Sequence, residues 1–172
     1  MYTLLIIDMQ RQFKSSERCL PEVLYLISKA KKDNANILNV EYKGDGLSYP
    51  SIRKELRFYE NSRTIKKDRD AGGTEVFAAL EKMNWLDTTI FTCGVNADCC
   101  VPYTLSELIN CFEDYNIKPP SIFVIQKACN SNNSWLGVEH NFPTFCYPKE
   151  VKMIEDEDLF SIDISINRKF KK

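Results

Sequence analysis

Short apolar runs alternate with amphipathic stretches along most of the chain, and this alternation predicts strands and helices in turn. Most of these runs are apolar almost throughout, as is typical of strands that are buried on both faces of a parallel sheet. The strands are predicted at 2–7, 37–42, 62–66, 88–93 and 121–126, and a final apolar piece follows at 151–154. The run at 62–66 is the most polar of them and carries the weakest strand signal.

Between the strands, apolar residues recur every three or four positions, which is the spacing of one helical face. The three faces are Val23, Leu24, Ile27 and Ala30, then Val76, Phe77, Leu80 and Met83, then Val101, Leu105, Leu108 and Phe112. Pro21 suits the first position of the first helix, and Thr74 suits the cap of the second. The third helix is predicted from Ala97, a loop follows the second strand, and a short helix is predicted at 135–140.

Strands that alternate with helices predict right-handed crossovers and a parallel sheet. With 172 residues, of which 44% are hydrophobic, the chain can bury one substantial core and needs no second domain. We therefore expect residues 1–172 to form one three-layer α/β/α Rossmann-like domain. Its sheet should be mostly parallel, with either five strands in the order 3-2-1-4-5 or six strands in the order 3-2-1-4-5-6.

The C-terminal segment has a different pattern. Apolar and polar residues alternate over 160–167, which predicts either an extra edge strand or a contact between subunits. The basic residues at 168–172 are interpreted as a solvated terminus.

Composition and charge exclude several classes of partner. The formal net charge of −1 provides no global field for nucleic acid or an anionic membrane. The first apolar run is too short for a signal peptide, and no stretch is long enough to span a membrane. Seven cysteines without a repeated spacing indicate reduced thiols. We expect a cytoplasmic protein that recognises a small molecule.

Three reactive side chains are predicted at the carboxyl edge of the sheet, where ligands bind in open α/β folds. Asp8 ends the first strand, Lys66 or Lys67 ends the third, and Cys100 lies at the start of the helix after the fourth. A helix start favours thiolate over thiol. A carboxylate that takes the thiol proton and an ammonium that stabilises the thiolate would complete a site that attacks carbonyl carbon.

The motifs that contain these residues resemble those of the isochorismatase-like cysteine hydrolases, which include nicotinamidases and N-carbamoylsarcosine amidohydrolases. They are Asp8-Met9-Gln10 with Phe13, the Lys67 region followed by Thr74-Glu75-Val76, and Gly94-Val95-Asn96-Ala97-Asp98-Cys99-Cys100-Val101 with Thr104. The resemblance covers about residues 2 to 155, in the family's order of motifs.

The resemblance implies a role for each matching residue. Asp8 would be the general base, Lys67 the lysine of the triad, and Cys100 the nucleophile that forms a thioester. The backbone N–H groups of Asn96 and Cys100 would form an oxyanion hole, with a cis peptide bond between Val95 and Asn96. Cys99 would have no role. Relatives commonly form dimers or larger assemblies, so a homo-oligomer is expected.

The chain also departs from the family pattern. Nicotinamidases of this family bind a metal through an aspartate and two histidines, whereas this chain has one histidine, His140, interpreted as a surface residue. We therefore expect no metal and no other cofactor. Glu41 and Asp45 are interpreted as solvated carboxylates, with substrate contact as the alternative. The Ala71-Gly72-Gly73 segment is expected to leave one wall of the pocket open.

Aromatic side chains near these motifs are candidates for substrate binding. Phe13, Tyr103 and Trp135 would form a wall for a flat ligand, although core or subunit-interface positions explain them equally well.

These features favour a metal-independent hydrolase that cleaves a C–N bond of a small carboxamide or ureido compound. The alternatives are vinyl ether hydrolysis, a catalytically silent binding or scaffold protein, and a redox sensor that uses Cys99 and Cys100.

Overall fold

A computed structural model describes residues 1–131 and 143–154 of the chain. The strands are β1 (Tyr2–Ile7), β2 (Asn36–Tyr42), β3 (Ser62–Lys67), β4 (Thr89–Val95), β5 (Ile122–Asn130) and β6 (Val151–Ile154). The helices are α1 (Ser16–Lys32), α2 (Pro50–Leu56), α3 (Gly73–Lys82) and α4 (Cys100–Asp114), with a 3₁₀ turn at Thr144–Cys146.

The six strands form one parallel sheet in the order β3-β2-β1-β4-β5-β6. This topology confirms the predicted sheet and the predicted strand order. Because the order reverses between β1 and β4, the residues that follow these two neighbouring strands meet at the carboxyl edge.

The two faces of the sheet are covered by different helices. Leu4 and Ile6 of β1 pack with α1 and α2, whereas Leu5 and Ile7 pack with α3 and α4. Successive side chains of a strand point to opposite faces, so a continuous apolar run fills both layers of core. The three-layer architecture follows from this division.

The starts of α1 and α3 differ from the predictions. Helix α1 begins at Ser16, so Pro21 lies inside it. The chain turns earlier because the Ser16 hydroxyl donates to the carbonyls of Gln10 and Phe13. Helix α3 begins at Gly73 with Gly72 at its cap, so Thr74 lies in the first turn and does not cap.

The remaining differences concern helix extent. Helix α4 begins at Cys100, three residues later than predicted, and the sequence pattern missed α2 altogether. Helix α2 is only seven residues long and buries just Ile52 and Leu56, so its apolar face is too short to give a periodic signal.

Several predictions fall outside the described residues. These are the short helix at 135–140, Trp135, His140, the edge strand at 160–167 and the basic tail. Among the helices that are described, none is both long enough and apolar enough to cross a membrane.

Gly94 brings the ends of β1 and β4 close together. Its φ is +134°, and a Cβ at this position would lie 2.0 Å from the Ile7 carbonyl oxygen. Only glycine has both the required backbone conformation and the required small size. The close approach places the end of β4 beside Asp8, the residue that follows Ile7.

Candidate active site

Asp8 and Lys67 form a buried ion pair at the carboxyl edge of the sheet. Lys67 Nζ lies 2.9 Å from Asp8 Oδ2, and both side chains are fully shielded from solvent. Lys67 ends β3 and faces inward, whereas its neighbour Lys66 is exposed. Adjacent side chains of a strand face opposite ways, so Lys67 rather than Lys66 reaches the site.

The Lys67 side chain is held along its length. Its ammonium donates to the Asp70 carbonyl at 2.6 Å and lies 5.2 Å from the centre of the Tyr42 ring. A Cβ on Gly72 would lie 2.7 Å from Lys67 Cδ, so the glycine makes room for the aliphatic stem. The expectation of an open wall at Gly72 is therefore wrong, because the lysine stem packs against that glycine.

Asp8 is poised to accept a proton. It has a left-handed backbone with φ of +56°, a conformation that turns the chain sharply after β1. Its N–H donates to the Val40 carbonyl at 3.0 Å, which ties the turn to β2. A side-chain hydrogen bond joins the buried carboxylate to the Cys100 thiol. The carboxylate is therefore placed to accept the thiol proton.

Cys100 is the first residue of α4, and its side chain is 4% exposed. Asn96 Nδ2 lies 3.5 Å from the Cys100 sulfur and donates to it. Asn96 has φ of +59°, a second left-handed residue at a strand end. The Val95–Asn96 peptide bond is trans, so the cis bond expected from the family resemblance is wrong.

Burial determines the resting protonation of both reactive groups. Burial raises the pKa of Asp8, although the Lys67 ammonium opposes that rise. Burial also raises the pKa of Cys100 to about 12, with Lys67 lowering it and Asp8 raising it. The pKa of Cys100 is therefore raised, and not lowered as its place at the helix start predicts, because loss of hydration outweighs the ammonium and the helix start. Cys100 rests as a thiol.

This protonation state gives a first testable prediction. Replacing Cys100 by serine should leave the thiolate absorbance of the native protein at neutral pH unchanged, because a thiol with a pKa of about 12 is protonated there. In denaturant the same substitution should remove one thiolate equivalent from the titration centred near pH 8.5, the ordinary pKa of cysteine. Loss of one equivalent from the native protein at neutral pH would contradict the prediction.

Gln10 holds the loop that follows β2. Its amide nitrogen donates to the carbonyls of Tyr42 and Gly46, each at 2.9 Å, and its oxygen accepts from Tyr42 N at 2.7 Å. The side chain is fully buried, so these bonds are shielded from water. Gln10 thereby fixes the backbone of Tyr42, whose ring covers Lys67. Sequence reasoning assigned no role to either residue.

Glu41 is neither a solvated carboxylate nor exposed to a ligand. It is 2% exposed, and its Oε1 accepts from the Ser48 N–H at 2.8 Å. The interpretation of Glu41 as a solvated carboxylate is wrong, because the chain folds back and buries it. Asp45 lies in the same loop, is half-buried, and raises the pKa of Asp8 through its charge.

The two described aromatic residues that were predicted to bind substrate, Phe13 and Tyr103, lie in different surroundings. Phe13 packs edge-on against Tyr42, with 6.4 Å between ring centres, so it supports the residue that covers Lys67. Tyr103 is 51% exposed on α4. The two rings therefore do not share one buried wall.

The described residues do not fit the nicotinamidase metal centre of an aspartate and two histidines. The chain contains one histidine, so an imidazole pair is unavailable in the sequence itself. Glu41, one of the two carboxylates expected near β2, already accepts a hydrogen bond from the Ser48 backbone N–H.

Comparisons with known proteins agree with this architecture. No protein-family model and no curated protein matches the sequence. The nicotinamidase SaPncA from Staphylococcus aureus superposes with a TM-score of 0.69 at 17% identity, over 90% of this chain and 100% of that one.

Two further solved structures have related architecture. An isochorismatase-like hydrolase from Alkaliphilus metalliredigens superposes with a TM-score of 0.69 at 15% identity, over 94% of this chain and 98% of that one. The MAR1 ribonuclease from Caenorhabditis elegans gives 0.60 at 19% identity, over 84% and 69%. The chain therefore has the fold shared by nicotinamidases and isochorismatase-like hydrolases, as its motifs predict.

Proposed function

We propose that the protein is a cysteine-dependent hydrolase that cleaves the C–N bond of a small carboxamide or ureido compound. The buried Asp8–Lys67 ion pair beside the helix-opening Cys100 is the observation that supports this function most directly. Ionised groups are rarely removed from water unless they are paired, and such pairs cluster at functional sites. The fold shared with nicotinamidases supports the same class of reaction.

In the first step, Asp8 takes the proton of the Cys100 thiol as the sulfur attacks the carbonyl carbon. Charge then develops on the carbonyl oxygen, and the N–H groups of Asn96 and Cys100 would stabilise it. The protonated Asp8 gives its proton to the departing nitrogen, and a thioester remains. Water, deprotonated by Asp8, then attacks the thioester and releases the acid.

Lys67 favours the ionised form of Asp8 in a site whose burial favours the neutral acid. Its ammonium opposes the rise in the pKa of Asp8 caused by burial. Without an ionised Asp8, the Cys100 thiol has no base within the site. Lys67 therefore acts by changing the pKa of Asp8 and the pKa of Cys100, and it need not contact the reacting carbonyl.

Ammonia release from a panel of small carboxamides and ureido compounds tests this function. We expect turnover of at least one compound by the native chain and none above background by Cys100→Ala, because the thioester cannot form without the sulfur. Cys99→Ala is the matched control and should retain turnover, since the neighbouring thiol has no part in the scheme. Equal turnover by Cys100→Ala would rule out the cysteine mechanism.

A silent binding protein of the same fold predicts a different result. It would leave every compound intact while small ligands still raise its melting temperature. Thermal-shift measurements on the same panel therefore separate binding without chemistry from hydrolysis.

A further inference from the structure

Three ligand atoms converge at the mouth of the site. One carboxylate oxygen of Asp70 and the sulfurs of Cys99 and Cys100 all lie within 4.8 Å of one another. The Asp70 side chain is exposed and Cys99 is partly exposed, so solvent reaches the cluster from one side. Among the described residues, Asp70 forms no side-chain ion pair. Its carboxylate is thus free of a competing cation.

The ligand types match a soft divalent cation. Thiolates and carboxylates bind Zn²⁺, and a site with three protein ligands leaves a fourth position for water. Two sulfurs on one zinc ion lie about 3.8 Å apart, given a tetrahedral arrangement and Zn–S bonds of about 2.3 Å. The two sulfurs, which lie within 4.8 Å of each other, therefore need to approach by no more than about 1 Å to reach that geometry. Exposed Asp70 and partly exposed Cys99 have room to move.

The charges of the surroundings also suit such a cation. Two thiolates and a carboxylate carry a charge of −3, so a divalent cation leaves −1. The Lys67 ammonium, which binds the Asp70 backbone carbonyl at 2.6 Å, is already paired with Asp8, so the occupied cluster keeps a charge of −1 instead of the −3 of the bare ligands. Nothing in the hydrolytic scheme uses Asp70 or Cys99, so this cluster is a separate property of the chain.

We propose that Asp70, Cys99 and Cys100 form an inhibitory site for zinc-class divalent cations. Binding replaces two S–H bonds by two metal–sulfur bonds and releases two protons to solvent, with no change in oxidation state. The bound cation holds the Cys100 sulfur and prevents its attack on a carbonyl. The binding stands on the ligand geometry alone, whereas the inhibition rests on the proposed hydrolase function.

Cadmium binding to the full chain tests the site. Titration of the reduced protein with Cd²⁺ should produce a thiolate-to-metal absorbance band and release two protons per cation, measured with a pH indicator. Cys99→Ser and Asp70→Asn should each weaken binding at least about 10-fold, since even residues that merely support a ligand contribute 10–100-fold. The matched control is Cys111→Ser. Cys111 is a half-buried cysteine on α4 that contacts Thr74, so this variant should bind Cd²⁺ as tightly as the native chain does.

Inhibition is measured on the same proteins. Zn²⁺ should stop amide turnover, a chelator should restore it, and Cys99→Ser should raise the inhibitory concentration by the same factor as it weakens Cd²⁺ binding. Unchanged binding in both Cys99→Ser and Asp70→Asn would overturn the site. Equal weakening by Cys111→Ser would also overturn it, because the cation would then be bound elsewhere.

The two proposals fail in distinguishable ways. If the metal-free protein turns over no amide but Cd²⁺ still releases two protons through Cys99 and Asp70, the site is supported and the hydrolase function is wrong. If turnover is present and Zn²⁺ inhibits Cys99→Ser as strongly as the native chain, the hydrolase function stands and the metal site is wrong.

Discussion

Replacing Lys67 by methionine should destabilise the fold by about 3–5 kcal/mol, the usual cost of removing one partner of a buried ion pair. Methionine retains most of the apolar stem that packs on Gly72 but leaves the Asp8 carboxylate without its ammonium 2.9 Å away. It also leaves the Asp70 carbonyl without its donor. The free energy of unfolding, measured by chemical denaturation at neutral pH, checks the expected loss.

A second substitution separates the ion pair from packing. Adding Asp8→Asn to the Lys67→Met variant should recover a large part of the lost stability, because no uncompensated charge remains buried. Lys66→Met, on the adjacent exposed position of β3, is the matched control and should change stability by less than about 0.5 kcal/mol. Equal stability of the two methionine variants would show that the Asp8–Lys67 pair is not buried as described.

The low-pH behaviour of the Lys67→Met variant follows from the same pair. The ammonium opposes the rise in the pKa of Asp8, so its loss should raise that pKa further. An acid with a raised folded-state pKa is favoured in its neutral form, and its cost to stability disappears as pH falls. The difference in stability between Lys67→Met and the native chain should therefore shrink on acidification.

The fold was predictable because its sheet is apolar on both faces. Strand β1 is apolar except for Thr3 and is buried along its whole length. Helix boundaries were harder to predict, since Pro21 suits a first position yet also fits inside α1. Helix α2 was missed because Ile52 and Leu56 provide just one pair of apolar residues at helical spacing.

The site was predictable only in part, because its parts come from distant segments. Asp8 and Cys100 follow neighbouring strands, so topology alone brings them together. The pairing of Tyr42 with Lys67 depends on the register between β2 and β3, which sequence periodicity does not specify. The protonation of Cys100 was predicted with the wrong sign, since the depth of burial is a property of the complete fold.

Replacing Asp8 by asparagine should separate the reactivity of the sulfur from turnover. The negative charge of Asp8 raises the pKa of Cys100, so its removal leaves Lys67 unopposed and lowers that pKa. Alkylation of Cys100 by iodoacetamide should therefore be at least as fast as in the native chain. Amide turnover should nevertheless fall about 100- to 10,000-fold, because no group remains to protonate the departing nitrogen or to activate water.

Asp45→Asn is the matched control for the Asp8 substitution. Asp45 raises the pKa of Asp8 through its charge, so its removal should lower that pKa. Turnover requires ionised Asp8 and therefore declines as pH falls through the pKa of Asp8. In Asp45→Asn the acid limb of the kcat/KM profile should move to lower pH, whereas turnover at neutral pH should be unchanged. A parallel fall of alkylation and turnover in Asp8→Asn would contradict the prediction and would mean that the substitution disturbs the packing of the site, because loss of the Asp8 charge alone lowers the pKa of Cys100.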